Sequence, residues 1–141
     1  MVALDRNANQ LLILADNGGS NGSRIRAWKH ELQTFCDKFS VSISVCHYPP
    51  GASKWNLIEH RLFSEISKNW RGIPLDSFET IVKYLRTTAT KTGLRVTASV
   101  DHRDYLTGKK VSDADFGSIN VIAFKILPDW NYTIRPHRIS M

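Results

Sequence analysis

The sequence of 141 residues has few cysteines, no long apolar segment and no internal repeat. Its two cysteines, Cys36 and Cys46, form no C-x-x-C pair, which favours buried free thiols over a disulfide or a zinc site. No apolar run approaches the roughly 20 residues of a transmembrane helix. Residues 1–6 lack the apolar core of a signal peptide. These absences predict a cytoplasmic protein with no membrane partner.

Acidic residues are also scarce relative to basic ones. Lys and Arg number 19 against 13 Asp and Glu, which gives a net charge of +6 and a pI near 9.6. A basic surface favours an anionic partner, with nucleic acid first among the candidates, although a merely soluble basic protein has the same charge. The hydrophobic content of 42% is that of a globular chain, and the length fits a single domain.

The apolar pattern of the first third predicts a β-α-β unit. The continuous run Leu11–Ala15 is typical of a strand buried on both faces, and Val41–Val45 alternates as a strand with one buried face. Between them, the Gly-rich turn Asn17–Gly22 precedes a helix with Ser23 as its N-cap. The two strands should therefore be parallel, joined by a right-handed crossover. The apolar positions of this helix are Ile25, Trp28, Leu32, Phe35 and Phe39.

The middle of the chain predicts two more helices. Ser53 can cap the first, which should end near residues 70–72. Asp76 can cap the second, which Gly93 closes. Trp55 is in register with the apolar stripe of the first helix, so we expect it in the core, with stacking on a base as the alternative. That stripe comprises Trp55, Ile58, Leu62 and Ile66.

Weaker patterns follow in the last third of the chain. Residues 94–100 alternate as a strand, one helical turn can begin at Ser112, and a terminal strand is expected near residues 130–134. The order of elements predicts the α/β class.

Two carboxylates occupy positions that suit a metal site. Asp16 directly follows the first predicted strand, and Glu59 lies in the second turn of the helix after the neighbouring strand. Ligands collect at the carboxyl edge of parallel sheets, so both side chains are expected at one edge. Carboxylates suit Mg²⁺ or Mn²⁺, and a pair of such ions can promote phosphodiester chemistry. Taken singly, Asp16 also fits an ordinary turn residue and Glu59 a solvated helix residue.

The segments around these acids, Leu12–Gly22 and Cys46–His60, resemble the second and third acidic motifs of DDE transposases of bacterial insertion sequences. The subfamily they resemble is the Rhodopirellula type, and Asn69–Gly72, Thr90–Val96 and Trp130–Ile134 are similar to it as well. The resemblance implies an RNase H-like, retroviral-integrase-like core that cleaves and joins DNA with Mg²⁺ or Mn²⁺. It also implies transposon-end and target DNA as partners and a nucleoid-associated location in the cytoplasm.

Carried over residue by residue, the resemblance implies that Asp16 and Glu59 are catalytic metal ligands. Asn56 matches the Asn of an Asn-x-x-Glu pattern and would steady Glu59 or touch the substrate. Lys54 and Arg61 would contact DNA phosphates, with solvated helix charges as the alternative.

The family's first acidic residue has no counterpart here. Fifteen residues precede Asp16, and the single acid among them, Asp5, is too close to leave room for the intervening elements. The chain therefore resembles the C-terminal part of the catalytic core. We expect a lead-in over residues 1–10, a partial RNase H-like core over 11–92 and a small α+β extension over 93–141.

Three functions remain open from the sequence. The first is a transposase fragment that is inactive alone and that self-associates, or binds a full-length transposase, through the open edge of its first strand. The second is a non-catalytic DNA-binding or interaction module derived from a transposase. The third is a nucleotide-binding protein that cradles phosphate with residues 17–22, although their glycine spacing fits neither common phosphate-binding motif.

Overall fold

The computed structural model describes residues 8–137, apart from the side chain of Ser53. The chain divides into two compact units. The sheet unit comprises Met1–Ser53 and Thr107–Met141, and the helical unit comprises Lys54–Leu106. The elements are β1 (Gln10–Ala15), α1 (Arg26–Phe39), β2 (Ser42–His47), α2 (Leu57–Asn69), α3 (Phe78–Arg86), α4 (Asp113–Gly117), β3 (Val121–Ala123) and β4 (Asn131–Ile134).

The four strands form one mixed sheet in the order β1-β2-β4-β3. Strands β1 and β2 are parallel, with Gln10 opposite Ser42 and Ala15 opposite His47, which confirms the predicted parallel pair. Strand β4 is antiparallel to both β2 and β3. The α/β class is therefore confirmed, whereas the predicted boundaries at residues 10 and 92 stay a prediction.

One face of this sheet forms the core of the sheet unit. Alternate residues of a strand point to the same face, so β2 and β4 each bury every second side chain. Helix α1 covers that face with Leu32 and Cys36. Fully burying each aliphatic side chain contributes about 1.5–3 kcal/mol. The strand residues in this core with at most 1% exposure are Ile43, Val45, Tyr132 and Ile134.

The opposite face of β1 is open within the described residues. Leu12 is 60% exposed and Leu14 is 43% exposed, so the prediction that this strand is buried on both faces is wrong. The reason is that α1 packs only on the face that carries Leu11 and Ile13. Strand β1 is also an edge strand of the described sheet, as predicted.

The starts of α1 and α3 differ from the predicted ones. Ser23 does not cap α1, because its backbone N–H donates to Asn17 Oδ1 (2.7 Å) and so holds it in the preceding loop. Helix α1 has Ile25 in the N-cap position and no side-chain cap. Helix α3 is capped by the hydroxyl of Ser77, one residue beyond the predicted Asp76, because that hydroxyl accepts from the N–H of the third helical residue.

Two predictions for residues 87–106 are wrong: the helix that was expected to continue to Gly93, and the strand over residues 94–100. Helix α3 ends at Arg86, where Asn69 Nδ2 donates to the carbonyl of Tyr84 (2.6 Å). The strand predicted at residues 94–100 is wrong, since the region forms a single bridge, Ala89 to Arg95. A strand needs a neighbouring ladder, and the described part of the helical unit contains none.

The predicted elements near the C-terminus are confirmed. Helix α4 is the expected turn, capped by Ser112, and β4 is the expected terminal strand. Strand β3 was not predicted, because three residues are too few for a recognisable alternation.

The two cysteines are free, and Cys36 is fully buried as expected, whereas Cys46 is only half-buried, so its predicted burial is wrong. Burial raises the pKa of the Cys36 thiol to about 11, and its S–H lies 3.5 Å from the carbonyl oxygen of Ile134. It is therefore an unreactive core residue. No helix in the described ranges is long and apolar enough to cross a membrane.

An exposed pair links α1 to the chain after β4 and predicts a pH effect. His137 Nδ1 lies 2.9 Å from Asp37 Oδ2, and this hydrogen bond raises the pKa of His137 above its usual 6.5. Burial favours a raised pKa for Asp37, but hydrogen bonds from His137 and Gln33 outweigh it and lower that pKa below 3.8. The pair therefore stabilises the fold most between these two values. Its contribution is lost as pH rises through the folded pKa of His137, and as pH falls through that of Asp37.

We expect the variant His137→Gln to lose up to about 1 kcal/mol at pH 6 and almost nothing at pH 9. Thermal melting at the two pH values measures the difference. The matched control is His102→Gln, an exposed histidine of the helical unit, which should change neither melting temperature. Equal losses at both pH values in His137→Gln would contradict the charge-based explanation.

Candidate active site

Asp16 lies at the carboxyl end of β1, where its main chain is fixed from two sides. The carbonyl of Ala15 accepts from the N–H of Tyr48 (2.7 Å), and the carbonyl of Asp16 faces the ring of His47. The side chain is exposed, and within residues 8–137 its carboxylate has no hydrogen bond or ion pair. The structure thus places a free carboxylate on a rigid strand end.

The loop after Asp16 is closed by its own side chains and backbone. Asn17 Oδ1 accepts from the N–H of Ser23 (2.7 Å), and the carbonyl of Gly22 accepts from the N–H of Ile25 (3.0 Å). Gly19 has a φ of +61°, a conformation that side chains rarely adopt. The Gly-rich segment is therefore a compact turn that leads directly from the carboxylate into α1.

A buried hydrogen-bonded chain supports this strand end. Trp28 Nε1 donates to the Tyr132 hydroxyl (3.0 Å), so that hydroxyl can donate its own hydrogen to His47 Nε2 (2.9 Å). The proton of the imidazole is then on Nδ1, which faces the Asp16 carbonyl (3.4 Å). Burial lowers the pKa of His47 and raises that of Tyr132 to about 12, so both groups are neutral.

The sequence motifs assign no role to His47, because hard divalent cations prefer oxygen ligands. Its place at the end of an alternating strand was the available signal, because the alternation puts it on the same face as Val45. What the sequence could not give was its partner, since Tyr132 is 85 residues away along the chain.

Glu59 lies in the first turn of α2, in the helical unit. The prediction of the second turn is wrong, because residues 53–55 form a separate 3-10 turn and Asn56, not Ser53, is the N-cap. Asn56 Oδ1 accepts from the backbone N–H of Glu59 (3.5 Å), and Asn56 is only 5% exposed. A carboxylate in the first turn is favoured by the helix dipole. Contact of Asn56 with DNA stays a prediction.

The other residues predicted to bind DNA are exposed in the same segment. Lys54 lies in the 3-10 turn before α2, and Arg61 lines a cavity of about 770 Å³ within the helical unit. Trp55 is 66% exposed, so its expected place in the core is wrong. The reason is that Trp55 precedes α2, whose one buried residue is Ile66.

The predicted donor atoms are of the type that a hard divalent cation prefers, but there are too few of them. Asp16 and Glu59 each offer carboxylate oxygens, which Mg²⁺ and Mn²⁺ prefer. They belong to different units, and among residues 8–137 no group of three His, Cys, Asp or Glu could hold a metal ion. Each unit thus contains one of the two predicted carboxylates.

Comparison with protein families gives a match over most of the chain. The family described as the Rhodopirellula transposase DDE domain matches residues 5–136. No curated protein and no solved structure matches the chain.

Proposed function

Because the chain belongs to the Rhodopirellula transposase DDE domain family, we propose that it forms part of a transposase catalytic core, with Asp16 and Glu59 as acidic residues of the site. Family membership indicates a role in transposition, general use of divalent metals and interaction with DNA. The observation that carries the proposal is the match over residues 5–136, which includes both acidic motifs. We further propose that the parallel pair β1 and β2 belongs to an RNase H-like core.

In this proposal Asp16 and Glu59 would hold Mg²⁺ or Mn²⁺. The bound ion would supply activation of a water or of a 3′-hydroxyl. The chain's own residues hold the donors in place: the strand end fixes Asp16, and the Asn56 cap fixes the main chain of Glu59. Lys54 and Arg61 would hold the DNA phosphates.

We also propose that the family's first acidic residue is not among these 141 residues. Two carboxylates bind two metal ions poorly, so the chain alone should neither cleave nor join DNA. A second copy of the chain, or a full-length transposase, is the expected protein partner, through the exposed edge of β1.

Iron-directed cleavage of the protein tests the metal ligands. Fe²⁺ occupies oxygen sites of the Mg²⁺ type and, with ascorbate and peroxide, cuts the main chain beside the bound ion. We expect cuts near Asp16 and near Glu59, suppressed by excess Mg²⁺. Asp16→Asn and Glu59→Gln should each reduce both cuts by about tenfold or more, because each removes a ligand.

The matched controls are Asp104→Asn and Glu79→Gln, which change exposed acids elsewhere in the helical unit and should leave the cuts unaltered. Cuts that persist in Asp16→Asn would rule out Asp16 as a ligand. A DNA-nicking assay with Mg²⁺ or Mn²⁺ is the second readout. Nicking by the unmodified chain that Glu59→Gln abolishes would show that the carboxylate set is complete after all.

A second candidate is a non-catalytic DNA-binding module. The net charge of +6 favours it, because a basic surface can bind DNA without catalysis. Salt-dependent DNA binding that is unchanged in the double variant Asp16→Asn with Glu59→Gln, combined with no iron-directed cuts, would select this function.

A further inference from the structure

A basic cleft lies beside the Asp16 loop, within the sheet unit. It consists of two adjoining cavities of about 440 and 270 Å³, which share Arg24 and Trp130. The smaller cavity reaches Asn17, the residue after Asp16. We call this surface the Arg24 cleft. The residues that carry the argument are Ser23, Arg24, Arg26, Lys29, Asp129 and Trp130.

The cations of the cleft differ in their surroundings. Arg26 pairs with Asp113 and lies 4.8 Å from the ring of Phe116, so its charge is compensated. Arg24 is exposed and has no ion-pair partner in the described part of the chain. The cleft therefore keeps at least one uncompensated guanidinium.

Lys29 is held in place rather than mobile in solvent. Its Nζ lies 4.7 Å from the centre of the buried Tyr132 ring. Burial lowers the pKa of Lys29, and the nearby carboxylate of Asp129 only partly opposes this. Arg24 and Lys29 together outweigh that single carboxylate, so the cleft has a positive charge left for a ligand.

The hydroxyl of Ser23 is a donor available in the cleft. Ser23 is only 3% exposed, its N–H is bound to Asn17 Oδ1, and within residues 8–137 its Oγ makes no hydrogen bond. The hydroxyl is therefore free to donate to a ligand in the cleft that Ser23 lines. The first turn of α1 begins beside it, with neither a side-chain cap nor an acidic residue. Its free N–H groups also favour an anion.

We propose that the Arg24 cleft binds a phosphate group of the DNA strand that reaches Asp16. Arg24 and Lys29 would bind the phosphate oxygens, the Ser23 hydroxyl would donate to one of them, and Trp130 would contact the adjoining nucleotide. The continuation of the cleft to Asn17 favours a strand over an isolated phosphate, which one cavity would already accommodate. The proposal rests on the proposed function and adds the path of the DNA beside the acidic residue.

Fluorescence anisotropy with a labelled single-stranded oligonucleotide and its duplex tests this on the full 141-residue chain. For single strands, each phosphate contact adds about 0.7 to the slope of log K against log salt, and measurements between about 50 and 200 mM NaCl resolve it. We expect Arg24→Gln and Lys29→Gln each to weaken binding about three- to tenfold at the lower salt and to reduce the slope by about 0.7. Ser23→Ala should weaken binding about two- to fivefold with an unchanged slope, because it removes no charge.

The matched control is Lys38→Gln, an exposed lysine at the other end of α1, which should leave affinity and slope unchanged. Lys29→Arg keeps the charge and should keep the slope, which separates lost charge from lost packing on Tyr132. Melting temperatures of all variants identify any that fail to fold.

The possible results distinguish a failure of the Arg24 cleft proposal from a failure of the proposed function. If Arg24→Gln and Lys29→Gln both keep the wild-type affinity and salt-dependence slope, the Arg24 cleft does not bind the DNA. DNA binding by the chain would still stand in that case. Inorganic phosphate is tested as a competitor at constant ionic strength. If it displaces DNA and raises the melting temperature as much as DNA does, the cleft binds free phosphate, and the proposal of a bound DNA strand is overturned. A wild-type chain that binds no DNA would overturn both.

Discussion

Replacement of Tyr132 by alanine is expected to lower the free energy of unfolding of the sheet unit by about 3–5 kcal/mol. Tyr132 is 1% exposed and packs in the centre of the core, between β2 and β3. Its removal leaves a cavity the size of an aromatic side chain. It also leaves Trp28 Nε1 and the buried His47 Nε2 without their partner, which places the loss toward the upper end of this range.

Thermal melting by circular dichroism measures this effect, and hydrogen exchange at β2 and β4 assigns it to the sheet unit. The melting temperature should fall by more than about 10 °C. The matched control is Tyr105→Ala, because Tyr105 is 65% exposed, and it should leave the melting temperature nearly unchanged. A melting temperature for Tyr132→Ala within about 3 °C of the wild type would contradict the packing described here.

The second large effect concerns self-association through β1. This strand is an edge of the described sheet and exposes Leu12 (60%) and Leu14 (43%) on one face. Unpaired backbone groups beside exposed leucines are a template for pairing with another strand. We therefore expect the chain to elute from size exclusion as an oligomer at micromolar concentration. We expect Leu12→Lys to shift it to monomer, with at least a tenfold weaker self-association, about 1.4 kcal/mol.

The matched control is Leu106→Lys, which adds the same charge at a leucine that is 97% exposed in the helical unit. This variant should remain oligomeric. A monodisperse wild-type monomer would show that the edge does not pair, and an equal shift in both variants would assign the effect to net charge. Neither substitution should alter the melting temperature by more than a few degrees, since both sites are exposed.

Tyr132 connects the stability of the sheet unit with the candidate site. Tyr132 is at once the central core residue and the partner of His47, whose ring faces the Asp16 carbonyl. A loss of core packing should therefore also loosen the strand end that presents the carboxylate. In an iron-cleavage experiment, the cut near Asp16 should weaken in Tyr132→Phe if the hydroxyl, and not the ring alone, holds this position.

Local pattern was enough for several parts of the molecule. The parallel pair β1 and β2 followed from two apolar segments separated by one helical spacing, and the α4 turn followed from Ser112 and its neighbours. The alternation in β2 also identified its buried face. Each of these features depends on residues close together in the chain.

Other features failed because their causes lie elsewhere in the chain. Trp55 had the spacing of a core residue, but the helix begins after it, so it is exposed. Residues 94–100 had the alternation of a strand, but no neighbouring ladder exists for them among the described residues. Ser23 had the residue type of an N-cap, yet the amide oxygen of Asn17 holds it in the loop.

The sequence by itself determined the α/β class and the family, and it singled out Asp16 and Glu59 as candidate acids, because these depend on residue types at short spacing. The tertiary structure alone decided that His47 meets Tyr132, that α1 covers one face of the sheet, and that Ser23, Arg24 and Lys29 share a cleft with Trp130. The physical reason is that these contacts join positions up to about a hundred residues apart, and only the packing of strands and helices fixes which distant side chains become neighbours.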